Sequence, residues 1–318
     1  MNERFEEILE SALKFECTDV HFVINENKIE MAFKDSNSLI KFDAKSNDIN
    51  LFNYLLYQSH LDVSNSKPQS GSFSYFFKGK YYDFRFSTMQ SRNLKSGVLR
   101  ILNCHEGLSL QQLTYEKEIQ DYFLKLIKRR TGMVIFSGLT GCGKTTTMYS
   151  LLKMMKNKSI YSLEDPIEVY QDNITQLEIN EKIGFDFNDG IRQILRHNPD
   201  VIMIGEIRDE TSAKMAFRAA LTGCLVFSSL HSKSTVGAIH RLMELGVGKH
   251  DLSECLTALF NQRLCKLNNE DGYTCVYDYL TGDDISNYFN GLIIKQHMSE
   301  KINKAIKDGI IREEECYE

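Results

Sequence analysis

The stretch GLTGCGKT, which runs from Gly138 to Thr145, has the spacing G-x-x-x-x-G-K-T. Glycines at these positions let backbone N–H groups turn toward an anion, and a following helix adds its positive N-terminal end. In such loops the lysine reaches the β- and γ-phosphates of a nucleotide, and the hydroxyl after it binds Mg²⁺. The sequence therefore predicts a site for ATP and Mg²⁺, formed by Gly138, Thr140, Gly141, Cys142, Gly143, Lys144, Thr145 and Thr146.

The segments around the loop predict a parallel sheet. An apolar run of strand length, Thr131 to Ser137, enters the loop, and Thr146 to Lys156 leaves it with helical spacing. Further apolar runs alternate with helical segments. The predicted strands are Met133 to Ser137, Ser159 to Leu163, Val201 to Ile204 and Cys224 to Ser228. Continuous apolar strands that alternate with helices are typical of a parallel sheet covered on both faces.

The first hundred residues have a different pattern, which predicts a mixed α/β domain. A helical stripe over residues 5–13 and a helix over 48–58 accompany short strands over 20–24, 29–33, 39–42 and 97–102, and a hairpin over 73–86 that turns at Lys78-Gly79-Lys80. The stretch from Asn103 to Thr114 breaks both periodicities. We therefore expect a first domain over residues 1–103, a linker over 104–114 and an ATPase domain over 115–318, with a helical C-terminal part from about Asp251.

Composition limits the class of protein. The 318 residues are 42% hydrophobic and 25% charged, with a net charge of −5, which is ordinary for a soluble globular protein and argues against bulk electrostatic binding of DNA. Eight dispersed cysteines without a C-x-x-C pair favour reduced thiols and no zinc site. The N-terminus is acidic and amphipathic, and no apolar run is long enough to cross a bilayer. We therefore expect a cytoplasmic protein that meets the membrane only through partners.

Acidic residues are expected near the phosphate loop, because a P-loop enzyme needs a carboxylate to manage Mg²⁺ and the attacking water. The apolar run in DVIMIGE places Glu206 at the carboxyl end of a central strand, where ligands bind in open α/β sheets. Glu206 is thus a predicted catalytic residue and, with Thr145, a predicted Mg²⁺ ligand. A second cluster, EDPIE, follows another strand and could bring Glu164 or Glu168 near the γ-phosphate.

Three longer runs carry a resemblance to a known family. LEDPIE (163–168), ILRHNPDVIMIGEIRDE (194–210) and LTGCLVFSSLHSKSTVGAIHRLMELGV (221–247) resemble the acidic box, Walker B motif and histidine box of the type II/type IV secretion ATPase superfamily. Shorter matches are TDVH at 18–21 and QRL at 262–264. The resemblance implies a RecA-like P-loop domain with a parallel sheet, preceded by a smaller mixed α/β (PAS-like) domain.

The resemblance also implies a mechanism and site residues. Members of the family form hexameric rings whose two domains rotate against each other as ATP is hydrolysed. Carried over by position, the roles fall on Glu206, on Glu164 and Glu168 of the acidic box, on His231 of the histidine box, and on Arg85 and Arg100, which resemble arginines that close onto the nucleotide. Cys224 stands where the family has its first histidine, so the function of that position is open.

Absent features narrow the resemblance to one branch. We expect the chain to begin almost directly at the second N-terminal domain of longer family members and, without a C-x-x-C pair, to lack their tetracysteine insertion. This layout is most similar to the ATPases that assemble the competence pseudopilus for DNA uptake. Their partners are a polytopic platform protein in the cytoplasmic membrane and, indirectly, the pseudopilins.

Three alternatives remain open. One is a retraction ATPase of a type IV pilus, although the characteristic A-I-R-N-L-I-R-E element of retraction ATPases is not found in the sequence. The second is a nucleic-acid translocase, which the acidic net charge disfavours. The third is a scaffold that binds ATP without hydrolysing it, and the presence of Lys144, Thr145 and Glu206 disfavours that.

Overall fold

A computed structural model describes residues 2–15, 17–26, 28–34, 39–64, 67–91, 93–102, 108–180, 183–268, 272–294 and 297–316. The chain divides into two units. The first unit holds Met1–Glu106 and Glu168–Tyr170, and the second holds Gly107–Ile167 and Gln171–Glu318. Each unit has its own sheet and its own hydrophobic core, and the predicted mixed α/β class is confirmed.

The first unit contains an antiparallel sheet. Its elements are helices α1 (Asn2–Lys14) and α2 (Asp48–Gln58) and strands β1 (Asp19–Asn25), β2 (Lys28–Lys34), β3 (Leu39–Phe42), β4 (Gln69–Phe77), β5 (Lys80–Gln90) and β6 (Leu94–Ile101). The six strands follow the order β3-β2-β1-β6-β5-β4. Each of these elements begins and ends within a few residues of the segment predicted from periodicity.

Alternation along the strands explains how the first core forms. In β1 the side chains of Val20, Phe22 and Ile24 are buried. Asp19 at the start of the strand is buried as well, but the other positions of β1 are partly or fully exposed. The buried set packs in one core with the apolar stripe of α1, in which Phe5 contacts Phe84 edge to face at 5.4 Å between ring centroids. Full burial of one such phenylalanine contributes about 1.5–3 kcal/mol to the free energy of unfolding. The opposite, polar face of the sheet remains available for charged side chains.

The second unit alternates strands and helices. Its helices are α3 (Leu110–Leu113), α4 (Lys117–Leu126), α5 (Lys144–Lys153), α6 (Phe187–Arg196), α7 (Glu210–Leu221), α8 (Thr235–Glu244), α9 (Lys249–Cys255), α10 (Gly282–Phe289) and α11 (Met298–Lys307). Its strands are β7 (Gly132–Ser137), β8 (Ile160–Glu164), β9 (Thr175–Glu178), β10 (Val201–Ile204), β11 (Leu225–Leu230), β12 (Leu256–Leu267), β13 (Tyr273–Thr281) and β14 (Ile311–Cys316).

The sheet of the second unit is parallel over most of its width. Its order is β13-β12-β7-β11-β10-β8-β9, and β14 pairs with β12. Strands β12, β7, β11, β10, β8 and β9 run parallel, and β13 and β14 are antiparallel to β12. Every residue of β10 and β11 is buried, because the sheet is covered on both faces. The carboxyl ends of the parallel strands therefore meet at one edge, which we call the carboxyl edge.

The prediction of a helical C-terminal part was wrong for three segments. Strands β12, β13 and β14 occupy part of the region after Asp251, although α9, α10 and α11 are helical as expected. In β12 Leu256 and the run from Ala258 to Phe260 are buried and the strand pairs with β7 and β13, so pairing within the sheet overrides the weak local preference. The tyrosines, threonines and valine of β13 are typical of a strand and were a usable signal.

Part of the predicted linker is regular structure. Residues 103–107 lie outside the described residues, and α3 follows them. Ser109 caps this helix, because its side chain accepts from the Gln112 N–H and the Gln112 side chain accepts from the Ser109 N–H. Leu110 and Leu113 are buried. In the part of the chain that the structure describes, no helix has the length and apolar character needed to span a membrane.

Candidate active site

The loop between β7 and α5 has the backbone conformation that its glycines permit. Gly141 and Gly143 have φ angles of +82° and +86°, which residues with a side chain rarely adopt. A Cβ atom on Gly138 would lie 2.6 Å from both Cys142 Sγ and the carbonyl oxygen of Gln262. The three glycines are therefore required by the local backbone and packing, and the loop leads directly into the N-terminus of α5.

Lys144 is the first residue of α5 and is only 8% exposed. Its ammonium donates hydrogen bonds to the carbonyl oxygens of Gly138, at 3.0 Å, and Leu139, at 2.9 Å. Both acceptors are neutral carbonyl groups, whereas a phosphate oxygen is charged and forms a shorter and stronger hydrogen bond with an ammonium. The lysine is thus held at the loop by bonds that an anion can replace.

Thr140 and Thr146 are exposed at the same loop, and Thr145 is half-buried in the first turn of α5. Cys142 behaves differently, since its side chain is only 2% exposed and burial raises the pKa of its thiol. Of the predicted nucleotide-binding residues, Cys142 therefore offers its backbone to a ligand and not its side chain.

Glu206 and His231 meet at the carboxyl edge. His231 directly follows β11, and Glu206 lies two residues after the end of the neighbouring strand β10. His231 Nε2 lies 3.0 Å from Glu206 Oε1. Two residues predicted from separate motifs are therefore in direct contact, because parallel neighbouring strands place their ends side by side.

Arg208 contacts the other oxygen of Glu206. Its Nε lies 3.1 Å from Glu206 Oε2, and its Nη1 lies 2.8 Å from Asp165 Oδ2. Asp165, Arg208, Glu206 and His231 thus form a continuous polar chain across the ends of β8, β10 and β11. The Arg208 side chain is 54% exposed and that of Glu206 is 25% exposed. Ion pairs this exposed contribute about 0–1 kcal/mol, so a ligand can replace them at small cost.

Glu164 is the last residue of β8 and is only 2% exposed. Tyr149 donates to its Oε2, while Ser162 Oγ at 2.5 Å and Gln176 Nε2 at 3.0 Å donate to its Oε1. Gln176 Nε2 also donates to the Tyr149 hydroxyl oxygen at 3.1 Å. Three uncharged groups therefore donate to the carboxylate, which lies beside the chain segment that leads from β10 to Glu206.

Glu168, the second predicted residue of the acidic box, belongs to a different unit from Glu164. It lies four residues beyond the end of β8, in the segment Glu168–Tyr170 that groups with the first unit. The structure therefore brings Glu164, Glu206 and His231 to one edge of the second unit, together with the phosphate loop, and gives Glu168 to a different group of residues.

Arg85 and Arg100 face each other on β5 and β6 of the first unit. Arg85 Nε donates to Ser70 Oγ at 2.9 Å, and Arg100 Nε donates to Asp19 Oδ1 at 2.7 Å. The hydrogen bond with Asp19 raises the pKa of the Arg100 guanidinium, which remains charged. Both arginines line a shallow cavity of about 300 Å³ that also includes His21. The TDVH match thus supplies the carboxylate that anchors Arg100.

Cys224 lies far from this edge within its own unit. It precedes β11, whereas His231 follows the same strand. The six residues of β11 span about 20 Å at 3.3 Å per residue. Cys224 Sγ contacts the Pro199 carbonyl oxygen at 3.5 Å and is buried. The cysteine therefore cannot touch a phosphate held by the loop of its own chain.

Sequence analysis missed four residues that shape the carboxyl edge. Arg208 and Asp165 lie within the quoted runs, two residues and one residue from the predicted glutamates, so their charge was a usable signal. Tyr149 and Gln176 have no such signal, because β9 and α5 bring them to Glu164 from separate parts of the chain.

Known proteins are similar to this chain over most of its length. The family model for "Type II/IV secretion system protein" matches residues 1–305. Competence protein ComGA of Bacillus subtilis is 36% identical over 279 residues, which cover 85% of this chain and 78% of that protein. Type II secretion system protein E of Pseudomonas aeruginosa is 34% identical over 266 residues, which cover 82% of this chain. The chain spans about half, 53%, of that second relative.

Among solved structures, the pilus retraction motor PilT with bound ADP has the same fold. The TM-score is 0.73 at 24% sequence identity, and the match covers 97% of this chain and 94% of that one. The RecA-like fold expected from the resemblance is thus confirmed.

Proposed function

The chain belongs to the type II/IV secretion system protein family and is an ATP-hydrolysing member of it, and we propose that it drives assembly of a competence pseudopilus for DNA uptake. The observation that supports ATP hydrolysis is that the phosphate loop with Lys144 and the Glu206–His231 pair lie at the carboxyl edge of one parallel sheet. The 36% identity to a competence protein over most of both chains supports the assignment to this branch.

The residues at the carboxyl edge fit ATP and Mg²⁺. A glycine loop with a lysine at the N-terminus of a helix suits a polyphosphate, and the Thr145 hydroxyl and Glu206 carboxylate are oxygen ligands of the kind that Mg²⁺ prefers. A bound Mg²⁺ neutralises charge that develops on the transferred phosphoryl group. Glu206 orients the attacking water, and His231 holds the Glu206 carboxylate toward the phosphate. Glu164 fixes the position of the strand end beside Glu206, and Glu168 favours the charged form of Arg100 in the first unit.

Arg85 and Arg100 are proposed to neutralise γ-phosphate charge when the two units close. Ser70 accepts a hydrogen bond from Arg85 and Asp19 accepts one from Arg100, so each guanidinium has a fixed orientation. Arg85→Ala and Arg100→Ala should lower ATP turnover by tenfold or more and change ATP affinity by less than threefold. Lys28→Ala, an exposed cation on the same unit, is the matched control. Equal loss of turnover and of binding would count against closure by these arginines.

The proposed assembly is a homo-hexamer on the inner face of the cytoplasmic membrane, where a polytopic platform protein receives the motion and passes it to the pseudopilins. Neither zinc nor direct binding of DNA is part of this proposal. Sedimentation of the purified protein with and without ATP tests the ring, and salt-dependent affinity for DNA would favour a nucleic-acid translocase instead.

The biochemical test is Lys144→Ala, compared with Lys153→Ala at the exposed end of the same helix. Lys144→Ala should abolish ATP binding and turnover, because it removes the ammonium that neutralises the phosphates, whereas Lys153→Ala should keep both. Unchanged ATPase activity in Lys144→Ala would refute the site. Measurable binding without any turnover in the unaltered protein would favour an ATP-binding scaffold.

The cellular test separates assembly from retraction. The gene is deleted in its host and complemented with the unaltered gene or with Lys144→Ala, and transformation and surface motility are scored. Loss of DNA uptake that only the unaltered gene restores supports the proposed function. Hyperpiliated cells that no longer retract would identify a retraction ATPase, the second candidate, which the shared fold with a retraction motor keeps in view.

A further inference from the structure

A buried glutamine of β12 contacts the phosphate loop on its buried side. Gln262 is only 1% exposed, and its Nε2 donates to the carbonyl oxygen of Cys142 at 2.6 Å. A carbonyl can only accept, so the side-chain NH₂ and not the oxygen must face it. The same amide accepts from the Thr147 hydroxyl at 3.1 Å. A Cβ on Gly143 would lie 3.0 Å from Gln262 Nε2, so loop and amide are in close contact.

The bond to Cys142 fixes the direction of a neighbouring N–H group. In a trans peptide the C=O and the N–H of the same plane point in opposite directions. Because the Cys142 carbonyl points into the buried side toward Gln262, the Gly143 N–H points to the opposite, open side of the loop. The next plane is fixed as well, since the Gly143 carbonyl accepts from the Thr147 N–H at 3.0 Å in the first turn of α5.

We propose that Gln262 is a positioning residue for nucleotide binding, which orients the Gly143 N–H toward the phosphates before they arrive. This inference rests on the proposed function, because it assumes that the loop binds a polyphosphate. Gln262 does not touch the nucleotide. It removes the freedom of the Cys142–Gly143 peptide plane to rotate, a freedom that a glycine with a φ of +86° otherwise has in full.

The chain offers a matched control for loss of packing. Tyr277 is wholly buried, and its hydroxyl lies 2.9 Å from Thr147 Oγ1 in the same polar cluster. Neither Gln262 nor the Cys142 carbonyl takes part in this hydrogen bond. Tyr277→Phe therefore removes the bonds of this hydroxyl to Thr147 and Cys275 and leaves the bond from Gln262 to Cys142 in place. Gln262→Met removes the amide and keeps the length of the side chain.

The experiment measures the dissociation constants of ATP and of inorganic pyrophosphate for the full chain, together with thermal unfolding without ligand. Gln262→Met should raise the dissociation constants of both ligands by the same factor of at least tenfold. The Gly143 N–H that loses its fixed direction binds phosphate and not the base. Both variants should remain folded at the temperature of the binding measurement, and Tyr277→Phe should bind both ligands within threefold of the unaltered protein.

Equal affinities in Gln262→Met and the unaltered protein would overturn the inference. So would a loss of affinity in Tyr277→Phe as large as that in Gln262→Met, since it would indicate general loosening of the cluster. The proposed function fails separately, and before these comparisons, if the unaltered protein binds ATP no better than Lys144→Ala does.

Discussion

Glu164 and Glu206 lie at the ends of neighbouring strands, β8 and β10, yet their surroundings are opposite. Glu164 is 2% exposed and accepts hydrogen bonds from uncharged hydroxyl and amide groups. Glu206 is partly open to solvent and contacts the ring of His231 and the guanidinium of Arg208. The first carboxylate is enclosed by donors that belong to the fold, and the second is held by partners that a ligand can displace.

This difference predicts different roles for Glu164 and Glu206, although both glutamates follow apolar strands in the sequence. A buried hydrogen-bonded group is costly to disturb, because a donor or acceptor left without a partner keeps its full desolvation penalty. A partly exposed carboxylate with displaceable partners can turn toward Mg²⁺ or water at small cost. We therefore propose a positioning role for Glu164 and a catalytic role for Glu206.

The largest expected effect comes from Glu206→Gln. ATP turnover should fall by about 10³-fold, because an amide cannot activate or orient water as a carboxylate does. ATP affinity should change by only a few-fold, and the free energy of unfolding by less than about 1 kcal/mol. Steady-state turnover and equilibrium binding are measured on the same preparation. Glu210→Gln, an exposed glutamate in the following helix, serves as control and should keep full activity. Equal loss of binding and turnover would contradict the assignment.

Glu164→Gln should act mainly on stability. The new NH₂ group would face the hydroxyl donors of Tyr149 or Ser162, and a mismatch of this kind costs about 1–3 kcal/mol when it is buried. Urea unfolding should show this loss, together with a fall in turnover smaller than that of Glu206→Gln. If Glu164→Gln unfolds like the unaltered protein and loses all turnover, the two glutamates have the same role and the contrast between them is wrong.

The contrast also indicates what the sequence can and cannot predict. Strand ends could be located from continuous apolar runs, so the positions of Glu164 and Glu206 at one edge followed from the rule for parallel sheets. Burial of Glu164 did not follow, because it depends on Gln176 and Tyr149, which the sheet and α5 bring from elsewhere in the chain. Local patterns identify where a side chain emerges but not which distant residues enclose it.

The same reason explains the error in the C-terminal region. Gln262 reaches Cys142 across 120 residues, and that contact exists only because β12 lies beside β7. Local spacing in Leu256–Leu267 is compatible with either period, and pairing with β7 and β13 decides it. The roles of the predicted site residues stay predictions until the variants are measured.

Tyr149→Phe should have a smaller effect of the same kind as Glu164→Gln. It removes one hydroxyl donor from the carboxylate and leaves Ser162 and Gln176 in place, so the free energy of unfolding should fall by about 1 kcal/mol. Tyr57→Phe, on an exposed tyrosine of α2, is the control and should cost nothing measurable. An equal change in both variants would mean that the Tyr149 hydroxyl does not hold Glu164.

The smallest expected effect is that of Arg208→Gln. Its dependence on salt distinguishes the surroundings of Glu206 from those of Glu164 most directly. Arg208 bridges Asp165 and Glu206 with a side chain that is 54% exposed, so its removal should lower the free energy of unfolding by less than about 1 kcal/mol. Mobile ions screen exposed pairs and not buried hydrogen bonds, so this loss should vanish at about 0.5 M salt while that of Tyr149→Phe persists. Urea unfolding at low and high salt measures both. A loss in Arg208→Gln that salt leaves unchanged would mean that Glu206 is held as firmly as Glu164, and its partners would not be displaceable.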